Sequence, residues 1–249
     1  MQQTLIELQK QLKALGTAQN CKVYARHGAD PDKVYGVSFA NLDKLAKSII
    51  KNNRVVNGID TDHKLARELW NTGNYDCRNL ALKIGDGKVM DEKEITAWIK
   101  QLKSYTHISM LGKLIAQHPQ ANKLPSKLCN EKDEIKRGLG FSIISSILAQ
   151  DPQRIPSKQL KSHLQQIEKD IHSSANWARY SMNWTLISIG TYGEYLKDDA
   201  IAVAHKIGKV EVDHGETSCK TPDAASYIEK SYRHFQTQLQ KQLKAKANS

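Results

Sequence analysis

The chain has 249 residues and a formal net charge of +11, from 37 lysines and arginines against 26 aspartates and glutamates. A positive charge of this size favours an anionic partner, which can be nucleic acid, an anionic membrane surface or an acidic protein. The four cysteines lie far apart and form no CxxC pair, which argues against a zinc knuckle or a redox dithiol and favours free thiols in a reducing compartment.

The sequence also argues against insertion into a membrane. It contains no stretch of about 18 consecutive apolar residues. The N-terminal sequence MQQTLIELQKQLKALG is amphipathic and lacks the apolar centre of a signal peptide. We therefore expect a cytoplasmic protein that spans no membrane, carries no cofactor or metal and is a monomer.

Apolar residues recur at helical spacing from one end of the chain to the other, and no segment shows the alternation of a strand. The first predicted helix has a face of four leucines: Leu5, Leu8, Leu12 and Leu15. Gly16 ends this helix. The next begins after Ser38, a suitable N-cap, and its apolar side consists of Phe39, Leu42, Leu45, Ile49 and Ile50.

The same spacing predicts further helices over residues 60–72, 74–85, 91–103, 106–117, 133–149, 157–172, 175–189 and 196–207. A last helix is expected to begin at Pro222, with Thr221 as its N-cap, and to continue as a basic tail. Residues 21–37 fit a loop or a broken helix, and residues 209–222 fit a polar loop.

The spacing of these helices predicts the fold class. Helices of the same phase recur roughly every 37–45 residues, the size of a two-helix repeat. A short helix pair cannot bury its apolar face alone, so neighbouring pairs must stack. We predict an all-α fold of stacked antiparallel helix pairs of the HEAT type, forming a curved superhelix and a single domain over residues 1–249. The alternative is an irregular all-α bundle, because the repeats share spacing but no sequence motif.

Two short segments combine residue types that suit contact with nucleic acid. Tyr105 and Ser109 are four residues apart, so on a helix they share one face and could line a groove. Lys136 and Arg137 precede a very apolar helix, where they could bind phosphates. The simpler alternatives are that Tyr105 packs its ring in the interior and that the two basic residues are solvated surface charges.

Another segment holds two of the four tryptophans of the chain. Trp177, Tyr180 and Trp184 follow helical spacing on one face, and Arg179 and Asn183 lie four residues apart on a neighbouring face. Such a surface suits base stacking and phosphate contact. A stripe of core residues is the commoner use of this spacing, and at least one of the two tryptophans is expected to be core.

The predicted loop at 209–222 is dense in functional groups, namely Asp213, His214, Glu216, Cys219 and Lys220. It superficially resembles a phosphate-binding loop, but a second glycine before the lysine and a preceding strand are missing. Its spacing matches no standard zinc motif. The amides that start the last helix could bind an anion together with Lys220, or the polar side chains could simply cap helix ends.

Several strings along the chain carry a family resemblance: YGVS at 35–38, LARELW at 65–70, RNLAL at 78–82 and MNWTL at 182–186. Together they resemble the AlkD-like DNA alkylation repair proteins, which are HEAT-like-repeat DNA glycosylases. The resemblance extends from about residue 20 to residue 205 and implies removal of cationic N3- or N7-alkylated purines from duplex DNA in base excision repair.

The resemblance also implies roles for individual residues. Tyr24 and Trp184 match aromatic residues of the family, and Arg137 matches a basic residue that contacts the DNA backbone. At the central motif the family has a tryptophan and, four residues on, an essential aspartate, whereas this chain has Tyr105 and Ser109. A serine cannot supply the negative charge that stabilises an oxocarbenium-like sugar, so the family's carboxylate is missing at this position.

These observations leave four hypotheses. The chain is an alkylpurine glycosylase that uses another acid, with Asp213 and Glu216 as candidates, or a DNA-binding relative without that chemistry. Alternatively it is a helical scaffold for an acidic protein, or a hydrolase or phosphate-binding protein centred on residues 213–221, with a metal. The residues expected to contact duplex DNA are Tyr24, Tyr105, Ser109, Lys136, Arg137, Arg179 and Trp184.

Overall fold

The computed structural model describes residues 4–52, 61–193 and 195–247. Over these residues the chain forms thirteen α-helices and several short 3-10 turns, and its strand-like pairing there is limited to an isolated bridge between Gly16 and Val37. The predicted all-α class is therefore confirmed. In the same parts of the chain, no helix is long and apolar enough to cross a membrane.

The first seven helices are α1 (Leu5–Leu15), α2 (Ala18–Arg26), α3 (Phe39–Asn52), α4 (Thr61–Asn71), α5 (Tyr75–Ile84), α6 (Glu92–Gln101) and α7 (Ile108–Ile115). The other six are α8 (Pro125–Leu128), α9 (Glu134–Gln150), α10 (Ser157–Asp170), α11 (Asn176–Tyr192), α12 (Lys197–Ile207) and α13 (Ala224–Ala247). The 3-10 turns lie at Pro31–Lys33, Tyr105–His107, Ala121–Lys123 and Ile171–Ser173.

Most of the helices predicted from apolar spacing are present, with ends that differ by a few residues. The predicted start of one helix at residue 60 lies outside the described residues. The last helix begins later than predicted, because Asp223 and not Thr221 is its cap. The Asp223 carboxylate accepts the backbone N–H of Ser226 at 2.9 Å, and Pro222 precedes the helix in the loop.

The structure refines two predictions for the N-terminal region, and of the loop and the broken helix predicted for residues 21–37 it shows the broken helix. Residues 21–26 belong to α2, which the apolar pattern did not reveal because Tyr24 is its one buried residue. The apolar side of α3 is narrower than predicted: Phe39 and Ile50 are 42% and 51% exposed, while the other three residues of the predicted side, Leu42, Leu45 and Ile49, are buried.

The contacts divide the chain into two compact units. The first consists of residues 1–118 with 215–217, and the second of residues 119–214 with 218–249. Buried apolar side chains lie in both, so each unit has its own core. The single domain that the sequence predicts stays a prediction.

In the first unit, α5 packs against α3 and α4 and is buried at all but two of its ten residues. Beside it, α4 and α6 contribute Trp70 and Trp98, whose rings stack at 4.4 Å between centroids and 4° between planes. Both indole rings are almost fully buried. These contacts make the centre of the unit a rigid apolar support for the loops around it.

A buried carboxylate fixes the segment that precedes α3. Asp76 lies in the first turn of α5 and is fully buried. Its carboxylate accepts the backbone N–H groups of Tyr35, Gly36 and Val37 at 2.5, 3.1 and 2.8 Å. Gly36 has a φ of +81°, and an added Cβ would lie 2.4 Å from the carbonyl oxygen of Thr17. Only glycine fits this turn. The hydrogen bonds from its backbone N–H groups to the Asp76 carboxylate hold the turn in place.

In the second unit, α9, α11 and α13 pack side by side, and α10 and α12 pack against α11. The approach of α11 to α13 is close, since a Cβ added to Gly190 would lie 2.8 Å from the Ile228 side chain. Between α11 and α9, the hydroxyl of Thr185 donates to the carbonyl of Phe141 at 2.8 Å. We refer to α9, α11 and α13 as the central layer of this unit.

Candidate nucleic-acid interface

Four aromatic side chains form a row across α11 and α13. The ring centroids of Trp177 and Tyr180 are 6.0 Å apart, and those of Tyr180 and Trp184 are 6.3 Å apart, both edge to face. On α13, the Tyr227 ring lies 5.3 Å from that of Trp184. The three α11 residues are half-buried and Tyr227 is 39% exposed. We call these four residues the aromatic row; such surfaces can stack unpaired bases without sequence preference.

The helical spacing in the sequence predicted the α11 part of this row. The accompanying expectation, that at least one of its two tryptophans is core, is wrong because Trp177 and Trp184 are both only half-buried. The buried tryptophans of the described chain are instead Trp70 and Trp98 in the first unit. The aromatic row therefore remains a partly open surface of the second unit.

The aromatic row continues into a groove of about 450 Å³ on the central layer. The groove, which we call the basic groove, is lined by Ala149, Tyr192, Tyr227, Lys230, Ser231, His234, Phe235 and Gln238. The Tyr192 and Phe235 rings meet edge to face at 5.0 Å and form its apolar part. Lys230 and His234 supply its basic part. Tyr227 belongs to both features, so aromatic rings and the Lys230 cation adjoin on one surface.

The charge of α13 extends this basic character. Its sequence has five lysines and arginines against a single acidic residue, Glu229. The Glu229 carboxylate lies 3.2 Å from the amine of Lys197, so its charge is already compensated. The sequence prediction described this helix only as a basic tail. The spacing of Tyr227, Lys230 and His234, which places them on one helical face, was the signal that it missed.

Arg179, predicted to contact DNA, is engaged within the fold. Its guanidinium donates to the backbone carbonyls of Glu211 at 2.8 Å, Ser174 at 2.9 Å and His172 at 3.2 Å. These bonds tie the polar loop after α12 to the start of α11. With these donors in use, the position of Arg179 does not support its predicted phosphate contact, and a role in positioning the loop fits better.

The functional groups of the polar loop have separate partners and do not form one cluster. The amide of Asn176 bonds both the N–H and the carbonyl of Asp213 at 2.7 Å. The His214 ring lies 5.4 Å from that of Tyr180. Glu216 belongs to the first unit, is 87% exposed and lies 3.9 Å from Arg26. Asp213 and Glu216, the candidate acids, therefore fall in different units.

The other loop residues do not form a metal site in the structure. Cys219 is exposed and forms no disulfide bond within the described chain, and Lys220 is exposed. Throughout the described ranges, no group of three or more histidine, cysteine, aspartate or glutamate side chains is placed to hold a metal ion. The loop's predicted location between helices is confirmed, and the alternative hypothesis of a metal-dependent hydrolase centred on this loop finds no support in this geometry.

The basic pair at the start of α9 is also built into the fold. The guanidinium of Arg137 donates to the carboxylate of Asp170 at 2.7 Å, and the two side chains are 21% and 27% exposed. Lys136 is half-buried, and its backbone N–H is bound by the N-cap Asp133. The charge of Arg137 is therefore compensated within the second unit, which leaves the predicted backbone contact by this residue without support.

In the first unit, the residues of the family's central motif are separated by a change of helix type. Tyr105 lies in a 3-10 turn, with its hydroxyl 2.6 Å from Nδ1 of His27, and Ser109 is exposed in the first turn of α7. Tyr24 is only 6% exposed, and its hydroxyl donates to the Val37 carbonyl. The position of Tyr24 gives it a packing role and does not support its predicted contact with DNA.

Comparison with known proteins gives relatives over nearly the whole chain. An uncharacterized protein of Listeria innocua serovar 6a, Lin0241, is 29% identical over 232 residues, which cover 92% of this chain and 97% of that protein. An uncharacterized protein of Listeria monocytogenes serovar 1/2a, Lmo0209, is 27% identical over the same shares of both chains. Each match thus spans nearly the full length of both chains.

A solved structure has the same fold, with a TM-score of 0.78 and 24% identity over 93% of this chain and 95% of that chain. It is described as representing a new family of proteins related to the HEAT-like repeat DNA glycosylases with affinity for branched DNA structures. The predicted HEAT-like helical fold is thereby confirmed. The family model described as DNA alkylation repair enzyme matches residues 8–228. The chain therefore belongs to the DNA alkylation repair enzyme family.

Proposed function

We propose that the chain is a DNA-binding protein that binds branched DNA through the aromatic row and the basic groove of its second unit. The observation that carries the proposal is that these two features adjoin at Tyr227. Cationic side chains bind phosphates of any sequence, and aromatic faces stack bases of any sequence. A surface that offers both suits DNA in which some bases are not held in a continuous stack.

One solved structure of the same fold supports the preference for branched DNA. The solved structure of the same fold is described as having affinity for branched DNA structures. At a branch point the stack of base pairs is interrupted, so bases can meet half-exposed rings such as those of the aromatic row. Continuous duplex DNA would offer the same phosphates to α13 but would keep its bases in the stack. The difference in affinity should therefore come from the aromatic row.

Removal of alkylated bases is not part of this proposal. Ser109 occupies the position where the family resemblance implies a carboxylate, and it is exposed. The candidate replacements, Asp213 and Glu216, are exposed residues of different units. A carboxylate that stabilises a developing positive charge acts best where water is excluded. These positions favour a family member that binds DNA without the glycosylase reaction.

The proposal predicts a clear preference in a binding measurement. The full chain is titrated against a labelled four-way DNA junction with 5′-hydroxyl ends. The control is a continuous duplex with 5′-hydroxyl ends and the same total number of base pairs. We expect the junction to bind at least about tenfold more tightly. Its affinity should fall by roughly 10³-fold between 50 and 200 mM salt if about six phosphates are contacted, because bound counterions are released.

Two matched charge reversals locate the binding surface. Lys230 and Lys241 are eleven residues apart, three turns along the same face of α13, and the exposed Lys158 and Lys169 have the same separation on α10. Lys230→Glu with Lys241→Glu should weaken junction binding by about tenfold or more and reduce the salt dependence. If Lys158→Glu with Lys169→Glu weakened junction binding equally, this surface would be rejected. If the affinity for the junction did not depend on salt, the scaffold for an acidic protein would be favoured instead.

A further inference from the structure

A second cavity, of about 560 Å³, lies wholly within the first unit and takes no part in the proposed DNA interface. Its walls come from three segments: residues 28–33 after α2, residues 73–78 at the start of α5, and residues 97–107 at the end of α6 and beyond. Its size is that of a small-molecule site. We call it the first-unit pocket.

The charge of the first-unit pocket is strongly positive. Its lining includes the cations Lys33, Arg78, Lys100 and Lys103 and a single carboxylate, Asp30. That carboxylate lies 3.8 Å from the Lys33 amine, so it already offsets one of the four cations. Three basic side chains are left facing one concave space, which is an arrangement that favours a multiply charged anion.

Arg78 is the fixed cation of the first-unit pocket. Its Nε and Nη1 donate to the carbonyls of Trp70 at 3.3 Å and Gln101 at 3.1 Å. Its guanidinium also lies 4.7 Å from the centre of the Trp70 ring. Both acceptors are uncharged, and within the described parts of the chain the guanidinium of Arg78 has no carboxylate among its hydrogen-bond and ion-pair partners. Burying part of a cation without a counter-ion raises the free energy of the folded state, because the charge loses contact with water. An anionic ligand would offset this desolvation free energy.

His107 supplies an independent sign that a polar ligand belongs here. Its side chain lines the first-unit pocket and is only 2% exposed. Neither ring nitrogen has a hydrogen-bond partner in the described structure. The ring lies against that of Tyr75, at 4.9 Å between centroids. Buried polar atoms are nearly always bonded in native proteins, so an unbonded imidazole at a pocket wall points to a missing partner.

We propose that the first-unit pocket binds a phosphate monoester group, with Arg78, Lys100 and Lys103 as its cationic contacts. A phosphate monoester carries close to two negative charges at neutral pH and accepts several hydrogen bonds, which matches this set of donors. His107 and the adjacent Ser104 supply polar contacts for the rest of the group. The group can come from a free nucleotide or from the 5′ end of a DNA strand.

Calorimetric titration of the full chain separates these two sources. The probes are dAMP, a short single-stranded oligonucleotide with a 5′-phosphate and the same oligonucleotide with a 5′-hydroxyl. Binding of dAMP identifies the free nucleotide as sufficient, and binding of the 5′-phosphorylated strand alone identifies a DNA end. The proposal is overturned if neither phosphorylated probe binds, or if dAMP does not bind and the 5′-hydroxyl strand binds as tightly as the 5′-phosphorylated one.

A matched pair of variants assigns the binding to the first-unit pocket. Lys100→Gln with Lys103→Gln removes two exposed cations of its wall and should weaken binding of the phosphorylated probe by at least about tenfold. Lys88→Gln with Lys93→Gln removes two exposed cations that do not line it and should leave the affinity unchanged. Equal weakening by both pairs would overturn the assignment. Because the junction assay uses 5′-hydroxyl ends, the two proposals fail independently.

Discussion

Replacing Asp76 with asparagine is expected to destabilise the first unit by about 3 kcal/mol. The carboxylate accepts three backbone N–H groups, at Tyr35, Gly36 and Val37, and is fully buried. An asparagine keeps one acceptor oxygen but turns an N–H₂ group toward the donors and removes the negative charge. At least one buried N–H then loses its partner, and the segment before α3 loses its anchor.

Urea unfolding followed by tryptophan fluorescence measures this effect, since Trp70 and Trp98 are buried in the same unit. Asp43→Asn is the matched control, because that carboxylate is 55% exposed and pairs with Lys83 on the surface. Breaking such a pair should cost less than about 1 kcal/mol. The role given to Asp76 would be wrong if both variants unfolded at the same urea concentration.

The second large effect is a loss of stability in mild acid that depends on His107. Burial, and then the nearby positive charge of Arg78, lower the pKa of His107 to about 3. In the unfolded chain a histidine has a pKa of about 6.5. Between these two pKa values the unfolded state binds a proton at His107 that the folded state does not bind. Protonation of the unfolded chain therefore lowers the free energy of unfolding as the pH falls below 6.5. The loss relative to neutral pH is about 2 kcal/mol at pH 5.

His107→Phe should remove this part of the pH dependence while keeping a ring of similar shape. Because neither imidazole nitrogen has a partner in the described structure, the apolar ring should also leave stability at pH 7.5 unchanged or raise it. His205→Gln removes an exposed histidine and should retain the acid sensitivity of the native chain. Unfolding midpoints at pH 7.5 and 5 provide the comparison; a His107→Phe variant as acid-sensitive as the native chain would exclude this explanation.

The sequence predicted most helices because their apolar residues face one side. Leu8 and Leu12 of α1 are fully buried, as their spacing indicates. Helix α2 was predicted only as part of a loop or broken helix, because a nine-residue helix with Tyr24 as its one buried residue has no apolar period to detect. The position of a helix end depends on a single capping residue. Threonine and aspartate are both favoured as N-caps, so residue type alone could not decide between Thr221 and Asp223.

The candidate site shows a different limit. Spacing within one helix predicted that Trp177, Tyr180 and Trp184 share a face, but it could not place Tyr227 beside them, since that contact depends on how α13 packs on α11. It also could not show that Arg137 is neutralised by Asp170, 33 residues further on. Residue type indicates which side chains can bind phosphate, and tertiary partners determine which of them remain able to do so.

Photo-cross-linking tests most directly whether DNA lies on the aromatic row. A four-way junction with 5-iododeoxyuridine at the branch point is irradiated in complex with the full chain, and the linked residues are identified by mass spectrometry. We predict cross-links at Trp184 and Tyr227, with far lower yield when the same base is placed within a duplex arm. Cross-links confined to residues 4–118 would contradict the account.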